Sequence, residues 1–417
     1  MVDAKSLQVK REKALQDELS SRQDVKKGVA KIHEMWSGRG FGPRRALLTH
    51  SLRLTRSMSP EIADSVARCR ELLKFDRPIE LYIKPDPMFQ ATCMKNASGP
   101  LVIVLSSRLV ECFTPEELQF VLGHELGHAV FDHFRLPMPA LTLVERAAVP
   151  LVSRPVALQL YAWARAAELS ADRVGLVCAQ DPDAAASGFF KLASGTSTPR
   201  VRPDLASYAA QVTALGSVPL ARDKEYDASR DDLDCFSTHP YSPVRVRAIY
   251  AFSQSQIYKK AVDRGAGTLT DEQLEEMVGK DMQLMDPGYL EEKNEQSDLL
   301  RRLLFSAGAV VAAANGVVED SEVEALGTLL GNEEVENLAQ RVDTAKKDLD
   351  GRIKAVVESN VPLLRRAQLM QHLTIIAGAD GSVDDLELEA LRSISTKLGV
   401  DFSVVAHTLA AASAPID

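Results

Sequence analysis

The sequence has few cysteines and no surplus of positive charge, and each of these features argues against a particular class of protein. Its five cysteines are scattered over 417 residues, odd in number and without Cys-x-x-Cys spacing. This pattern argues against a cysteine zinc site and indicates a reducing compartment. The formal net charge of -9 argues against a nucleic-acid binder that relies on general electrostatic attraction.

The sequence also lacks the hydrophobic segments that export or membrane insertion requires. The N-terminus is charged and has no apolar signal core, and no run of about eighteen apolar residues occurs. We therefore expect no transmembrane segment and a cytoplasmic location. The composition is 45% hydrophobic, 26% charged and only 6% aromatic, which is typical of a soluble globular protein. The length predicts more than one domain.

One stretch, Val121–Val130, contains the pattern His-Glu-x-x-His. In a helix, His124 and His128 lie one turn apart on the same face, so both imidazoles can bind a single divalent metal. Glu125 can hold and deprotonate a water on that metal, as the general base of metal-dependent peptide hydrolysis does. The alternative is a chance pair of histidines on a core helix, a pattern that arises by accident in about one such chain in a hundred.

A third protein ligand is expected, because catalytic zinc sites usually combine three protein ligands with water. Glu168 and Asp172 are four residues apart in a predicted helix and therefore share a face. This spacing suits a metal-binding carboxylate at Glu168, with Asp172 accepting a hydrogen bond from a ligand histidine. An exposed acidic pair is the alternative, which the upstream motif disfavours. The ligand types favour one catalytic Zn²⁺, although the spacing also fits another divalent ion.

With these residues in place, the sequence resembles the gluzincin metallopeptidases of the HtpX-like and CAAX prenyl endopeptidase group. The resemblance covers residues 45 to 260, and the matching stretches are Thr114–Leu118, His124–His128, Glu168–Asp172, Ser237–Pro240 and Arg245–Val246. It implies that His239 binds the oxyanion and that Arg245 supports the site. A donor for the charge that develops on the carbonyl oxygen is a physical requirement of the reaction.

Two departures from the family pattern affect the substrate site and the membrane. The family's substrate-binding edge strand often carries Asn-Ala, where this chain has Gln90 and Ala91 within the candidate strand 88–94; backbone pairing with an extended substrate survives that change. Family members often have hydrophobic helices before the third ligand. Here Leu136–Trp163 is interrupted by charges and four prolines, which favours a soluble helical hairpin or lid over attachment to a membrane surface.

The remaining histidines are not expected to bind the metal. His133 is five residues beyond His128 and therefore off the ligand face. Four others have no partner at ligand spacing and are interpreted as structural or exposed: His33, His50, His372 and His407.

Local signals predict the elements around the motif. Ser59 with Pro60 and Thr114 with Glu117 are helix starts, the second as a capping box. Residues 79–83 and 101–105 predict strands. Residues 1–36 are highly charged, but their apolar residues recur at helical spacing and form one stripe, which predicts a docking helix or a partly ordered arm. The sharper alternative is a segment that covers the active site and keeps it latent.

The C-terminal region contains an internal repeat, since Ala314–Leu326 matches Ala379–Leu391. Each copy predicts a helix, a tight glycine turn and an acid-capped helix, and the pair resembles the TerB-like helical domain of tellurite-resistance proteins. Each turn also resembles half of a calcium-binding EF-hand loop. We favour a structural helix pair over a weak metal or partner site because apolar residues occupy the expected ligand positions: Val311, Ala313, Ile376 and Gly378.

These observations predict a mainly α protein with a small sheet, of the α+β zincin type, and a separate all-α C-terminal domain. We expect a charged helical arm over 1–45, a zinc metallopeptidase domain over 46–260, a connector over 261–297 and the TerB-like domain over 298–417. The expected function is a zinc metalloendopeptidase acting on protein or peptide substrates. A non-proteolytic zinc-binding scaffold, whose C-terminal domain recruits a protein partner, is the alternative. A latent peptidase occluded by its own flanking segments is a third.

Overall fold

The computed structural model describes residues 3–37, 43–95, 99–138, 151–215 and 234–413. These residues are mostly helical and include one four-stranded sheet, so the predicted fold class is confirmed. They divide into two compact units. The first contains 3–37, 43–95, 99–138, 163–214 and 238–282, and the second contains 151–162, 215, 234–237 and 283–413. The four domain ranges drawn from the sequence stay predictions.

In the described residues up to 282, the chain forms twelve α-helices. They are α1 (Lys10–Ser21), α2 (Gln23–Ser37), α3 (Pro43–His50), α4 (Pro60–Leu73), α5 (Ser107–Cys112), α6 (Pro115–Val130), α7 (Arg154–Ala179), α8 (Pro182–Ser194), α9 (Leu205–Leu215), α10 (Ser242–Ser253), α11 (Gln256–Ala261) and α12 (Asp271–Met282). None of the described helices is long and apolar enough to cross a membrane.

One four-stranded sheet packs against helix α6, and strand β3 (Ala91–Lys95) lies at its edge. Its strands are β1 (Leu52–Leu54), β2 (Ile79–Lys84), β3 (Ala91–Lys95) and β4 (Leu101–Ser106). The order is β1-β2-β4-β3, with β2 and β4 parallel and the two outer pairs antiparallel. All six residues of β4 are buried, as expected for a central apolar strand. The predicted strands are confirmed, and β3 is an edge strand as predicted.

Both predicted helix starts are present. The Ser59 hydroxyl accepts a hydrogen bond from the Ile62 amide, with Pro60 in the first turn of α4. Thr114 and Glu117 form a complete capping box at the start of α6. These caps satisfy amide groups that would otherwise lack partners at a helix N-terminus, so they fix where the motif-bearing helix begins.

The N-terminal arm is helical and packed. Leu7, Leu19, Val25 and Ile32 are buried, which confirms the predicted apolar stripe. The glycine- and proline-containing stretch 37–43, whose composition predicts a break in the helical arm, falls largely on residues outside those that the structure describes. The arm therefore belongs to the core of the first unit.

The segment predicted as a helical hairpin or lid is described only in part, so that interpretation stays a prediction. Residues 139–150 lie outside the described residues. From Arg154 onward, the chain is the beginning of α7, the same helix that continues to Ala179. Pro155 is tolerated there because the first amides of a helix have no intrahelical acceptor.

Glycines let helices α6 and α7 approach closely. A Cβ atom at Gly127 would lie 2.8 Å from the Ala171 Cα atom, and one at Gly123 would lie 2.7 Å from the Cys178 Cβ atom. Conversely, a Cβ atom at Gly175 would lie 2.8 Å from the Phe120 carbonyl oxygen. The two helices thus meet backbone to backbone.

The second unit is a helical bundle built on the predicted repeat. Its helices are α13 (Glu295–Ala312), α14 (Asp320–Leu330), α15 (Leu338–Glu358), α16 (Leu363–Ala377), α17 (Asp385–Leu398) and α18 (Ser403–Ser413). In both copies a glycine with positive φ makes the turn, at Gly316 and Gly381, because this region of backbone conformation favours glycine. An acidic capping box follows each turn, which confirms the repeat.

His372 is buried in this bundle, where its Nδ1 atom lies 2.5 Å from the Tyr289 hydroxyl oxygen. Burial lowers the pKa of His372 to about 4, because a charged ring cannot be solvated there. The unfolded chain therefore binds more protons than the folded chain between pH 6.5 and 4.

We predict that stability falls as the pH drops through this window, by about 3 kcal/mol from this residue. The His372→Gln variant keeps a hydrogen-bond acceptor for Tyr289 and should lose this part of the acid sensitivity. Urea unfolding at pH 7 and pH 4 measures the difference, with exposed His33→Gln as the control. An NMR titration in which the His372 ring titrates near 6.5 would contradict the account.

We also predict that Gly127→Ala destabilises the protein by about 1–3 kcal/mol, because the new methyl group meets the backbone of α7. The matched control is Gly279→Ala in α12, where a Cβ atom meets nothing within 4 Å and where alanine should stabilise the helix by about 0.5–1 kcal/mol. Thermal unfolding compares the two variants. An equal melting temperature for both would show that the close approach is not a real constraint.

Candidate metal centre

Two helices contribute the candidate metal ligands. Helix α6 carries His124 and His128, and helix α7 carries Glu168. One ligand atom from each of the three lies within 4.8 Å of the others. No other group of His, Cys, Asp and Glu residues in the described part of the chain meets this criterion. The fold therefore brings Glu168 to two histidines that lie 40 and 44 positions before it in the sequence.

The spacing of the ligand atoms suits one small cation. The two Nε2 atoms of His124 and His128 are 3.1 Å apart, and each lies 3.4 Å from a Glu168 carboxylate oxygen. Tetrahedral zinc, with bonds of about 2.0–2.1 Å, places its ligand atoms about 3.3 Å from one another. The three residues thus fit a zinc ion by distance as well as by ligand type.

A buried oxygen in the same place supports this fit. Glu168 Oε2 is buried and makes no hydrogen bond within the described structure, although Arg245 Nη2 lies 3.1 Å away in ion-pair range. A buried carboxylate oxygen that lacks a hydrogen bond is costly. A cation held between the three side chains would satisfy it.

The far side of His124 is held by a buried ion pair. Its Nδ1 atom lies 2.9 Å from Asp172 Oδ1. Asp172 in turn accepts two hydrogen bonds from Arg245, at 2.7 and 2.9 Å. Arg245 also lies over the Phe189 ring. This chain of contacts fixes the ring orientation of His124 and leaves its Nε2 atom facing the other candidate ligands.

The far side of His128 is held differently, by His133. Their Nδ1 atoms are 2.7 Å apart, and His133 is buried in the 3-10 turn that follows α6. The sequence places His133 off the ligand face, and the structure brings it to the opposite side of a candidate ligand. Its spacing of five residues from His128 gave no signal of this role, because the turn after α6 does not follow helical periodicity.

Charges within the site are strongly coupled. Burial opposes a charge on His124, yet Asp172 and Glu168 raise its pKa to about 10. Burial also opposes the charge on Glu168, but His239, Arg245 and His128 hold the pKa of Glu168 well below its usual range. In the absence of a cation, a proton on His124 balances the carboxylates, so metal binding must release it.

Glu125 is buried beside these groups. Burial, together with the negative charge of Glu168, raises its pKa to about 7 against the opposing effect of His124 and Arg245. Its charge, after burial, contributes to the raised pKa of Cys93 on the edge strand β3, so Glu125 is near enough to that strand to interact with it electrostatically. A carboxylate with a pKa near 7 is suited to accept and return a proton.

The other predicted site residues lie around this group. His239 is 60% exposed, and its Nε2 atom lies 3.5 Å from Glu168 Oε1. Gln90 exchanges hydrogen bonds with Ser106, and Ala91 opens strand β3 opposite Leu105. Helix α6 packs against β3. Of the remaining histidines, His33 and His50 are exposed and His407 is partly buried. His372 is buried in the second unit.

Comparison with known proteins supports what the geometry indicates. Residues 61–253 match the model of peptidase family M48, and residues 301–408 match the model of the tellurite resistance protein TerB. The plastoglobule-localized metallopeptidase 48 of Arabidopsis thaliana, a chloroplast protein by its name, is 30% identical over 228 residues. The match covers 51% of this chain and 63% of that relative.

The narrower assignment to the HtpX-like and CAAX prenyl endopeptidase group stays a prediction, as does the cytoplasmic location. The residue ranges of the two family matches contain the candidate metal centre and the glycine-turn repeat, respectively. The chain therefore contains a region that matches the peptidase family M48 model, followed by a helical region that matches the TerB model.

Proposed function

We propose that this chain is a zinc-dependent endopeptidase that cleaves protein or peptide substrates. The observation that carries the proposal is the convergence of His124, His128 and Glu168 at zinc-ligand spacing, with buried Glu125 beside them. The match to peptidase family M48 supports the same reaction class. The ligand types also favour zinc, because histidine nitrogen and carboxylate oxygen are typical zinc ligands.

The chemistry that a bound Zn²⁺ supplies here is polarisation of the scissile carbonyl and a lowered pKa of water. Glu125 takes the proton of the attacking water on its carboxylate and then passes it to the leaving amine nitrogen. Its burial keeps competing solvent away from this proton transfer. Asp172 and Arg245 do not touch the substrate; they hold His124 and Glu168 in position.

His239 has a place in this scheme as the oxyanion donor. Its side chain is 60% exposed, while its Nε2 atom lies 3.5 Å from Glu168 Oε1. Its Nδ1 atom lies 2.9 Å from the Thr238 hydroxyl, which helps to orient the ring. A donor in this position can bind the carbonyl oxygen as negative charge develops on it.

Strand β3 is our proposed binding site for the substrate backbone. One side of β3 pairs with β4, and no described strand pairs with its other side. An extended peptide can pair with this free side as a further strand. It would begin beside Gln90 and Ala91 and continue past Cys93, whose pKa the charge of Glu125 helps to raise. The Lys95–Asp132 ion pair, at 2.5 Å, ties the far end of β3 to the end of α6.

Two finer predictions from the sequence are kept as predictions. Latency imposed by the N-terminal arm, the segment 136–163 or the C-terminal module stays a prediction, and a truncation that raises activity would support it. Recruitment of a protein partner by the TerB domain also awaits a test. Neither is needed for the peptidase reaction.

Replacing Glu125 with Gln should lower cleavage of an unfolded protein such as casein by several orders of magnitude, because proton transfer is lost. Zinc content should stay at one ion per chain. The control is Glu116→Gln, which changes an exposed acid in the first turn of the same helix. Equal cleavage by the parent and the Glu125 variant would point to a contaminant and refute the proposed mechanism.

Replacing His239 with Ala should lower kcat by about 10²–10³-fold, as loss of an oxyanion donor does, while zinc affinity stays the same. Steady-state kinetics and competition with a zinc chelator measure the two quantities. Exposed His50→Ala serves as the control. A large loss of zinc affinity in the His239 variant would identify it as a metal ligand and contradict its assigned role.

A further inference from the structure

The N-terminal helix α1 places an acidic residue in the core behind the metal centre. Glu12 is fully buried. Its Oε1 atom accepts a hydrogen bond of 3.3 Å from Trp163 Nε1, and its Oε2 atom accepts one of 3.2 Å from the Ser170 hydroxyl. A buried carboxylate is costly unless such contacts compensate it, so its position on the buried face of α1 calls for a specific role.

Glu12 faces His133, the residue that holds His128. His133 Nε2 lies 3.6 Å from Glu12 Oε1, and this buried nitrogen makes no hydrogen bond among the described residues. The ring of His133 also packs edge-on against Trp163. Carboxylate, histidine and histidine thus form a row that leads from α1 to a candidate metal ligand.

If zinc is bound by His128, the positions of the protons on His128 and His133 follow. His128 must present an unprotonated Nε2 atom to zinc, so its proton is on Nδ1. His133 Nδ1, 2.7 Å away, must then accept this proton's hydrogen bond, which leaves the His133 proton on Nε2. That N–H group faces the Glu12 carboxylate, so the negative charge stabilises this tautomer.

Other contacts show that α1 supports the site from behind. The Val9 amide donates to the Ser170 hydroxyl at 2.9 Å, and Gln16 Nε2 donates to the Phe131 carbonyl oxygen at 3.1 Å. Ser170 is two residues from both Glu168 and Asp172, which places it about 200° around α7 from them. The arm thus contacts the face of α7 that points away from the ligand atoms.

We propose that Glu12 is a positioning residue for the metal centre, acting through His133 to fix the tautomer and ring orientation of His128. The inference rests on the proposed zinc peptidase function. It assigns the N-terminal helix a supporting role, opposite to that of a segment that covers the site. Partners of ligand histidines in other proteins change metal affinity or activity by about 10–100-fold when they are replaced.

Zinc affinity, measured by competition with a chelator, tests this role in the full-length chain. Glu12→Gln keeps the size and polar contacts of the side chain but removes its charge, and Glu12→Ala removes both. We expect about 10–100-fold weaker zinc binding by Glu12→Ala and a smaller loss by Glu12→Gln. Glu18→Ala, an exposed acid on the same helix, should bind zinc as the parent does.

A double-mutant cycle with His133→Phe separates positioning from general packing. If Glu12 acts through His133, then Glu12→Gln should have no further effect on zinc affinity in the His133→Phe background. The visible spectrum of the cobalt-substituted protein should change in the single variants, because the geometry of His128 changes. A packing role alone would lower the melting temperature without moving either readout.

The outcomes distinguish this inference from the proposed function. A parent chain that binds no zinc would overturn both. Normal zinc affinity in both Glu12 variants, with tight binding by the parent, would overturn only the role of Glu12. Higher peptidase activity in Glu12→Ala would also overturn it, because that result is expected of a segment that covers the site.

Discussion

The structure of the site depends on how closely α6 and α7 approach each other. Gly123 and Gly127 lie on the face of α6 that meets Ala171 and Cys178 of α7. Without side chains at these positions, the two backbones come near enough for one carboxylate and two imidazoles to share a cation. A wider separation would leave Glu168 out of reach, whatever its chemistry.

Around this contact, ionisable groups from α6, α7, α10 and the turn after α6 pair with one another. Arg245 neutralises Asp172 and approaches Glu168, while Asp172 orients His124. On the other side, His133 orients His128. Because burial makes every unpaired charge expensive, the site is compact only when each ionisable group has a partner. In the proposed function, a zinc ion would complete this balance, since Glu168 Oε2 makes no hydrogen bond among the described residues.

The sequence predicts much of this site and of the fold, and the failures have physical causes. Residues one helical turn apart, such as His124 and His128, can be paired from their spacing alone. Capping boxes and the glycine turns at Gly316 and Gly381 can likewise be predicted from local sequence. The role of His133 could not be predicted, because a non-helical turn brings it back toward His128. Glu12 could not be assigned either, since its partners are more than a hundred residues away.

Anomalous diffraction at the zinc absorption edge, from crystals grown with one equivalent of zinc, tests the central claim most directly. The account predicts a single strong peak bonded to His124 Nε2, His128 Nε2 and a Glu168 oxygen, with bonds of about 2.0–2.2 Å. A peak at another place in the chain, or no peak between these three side chains, would contradict it.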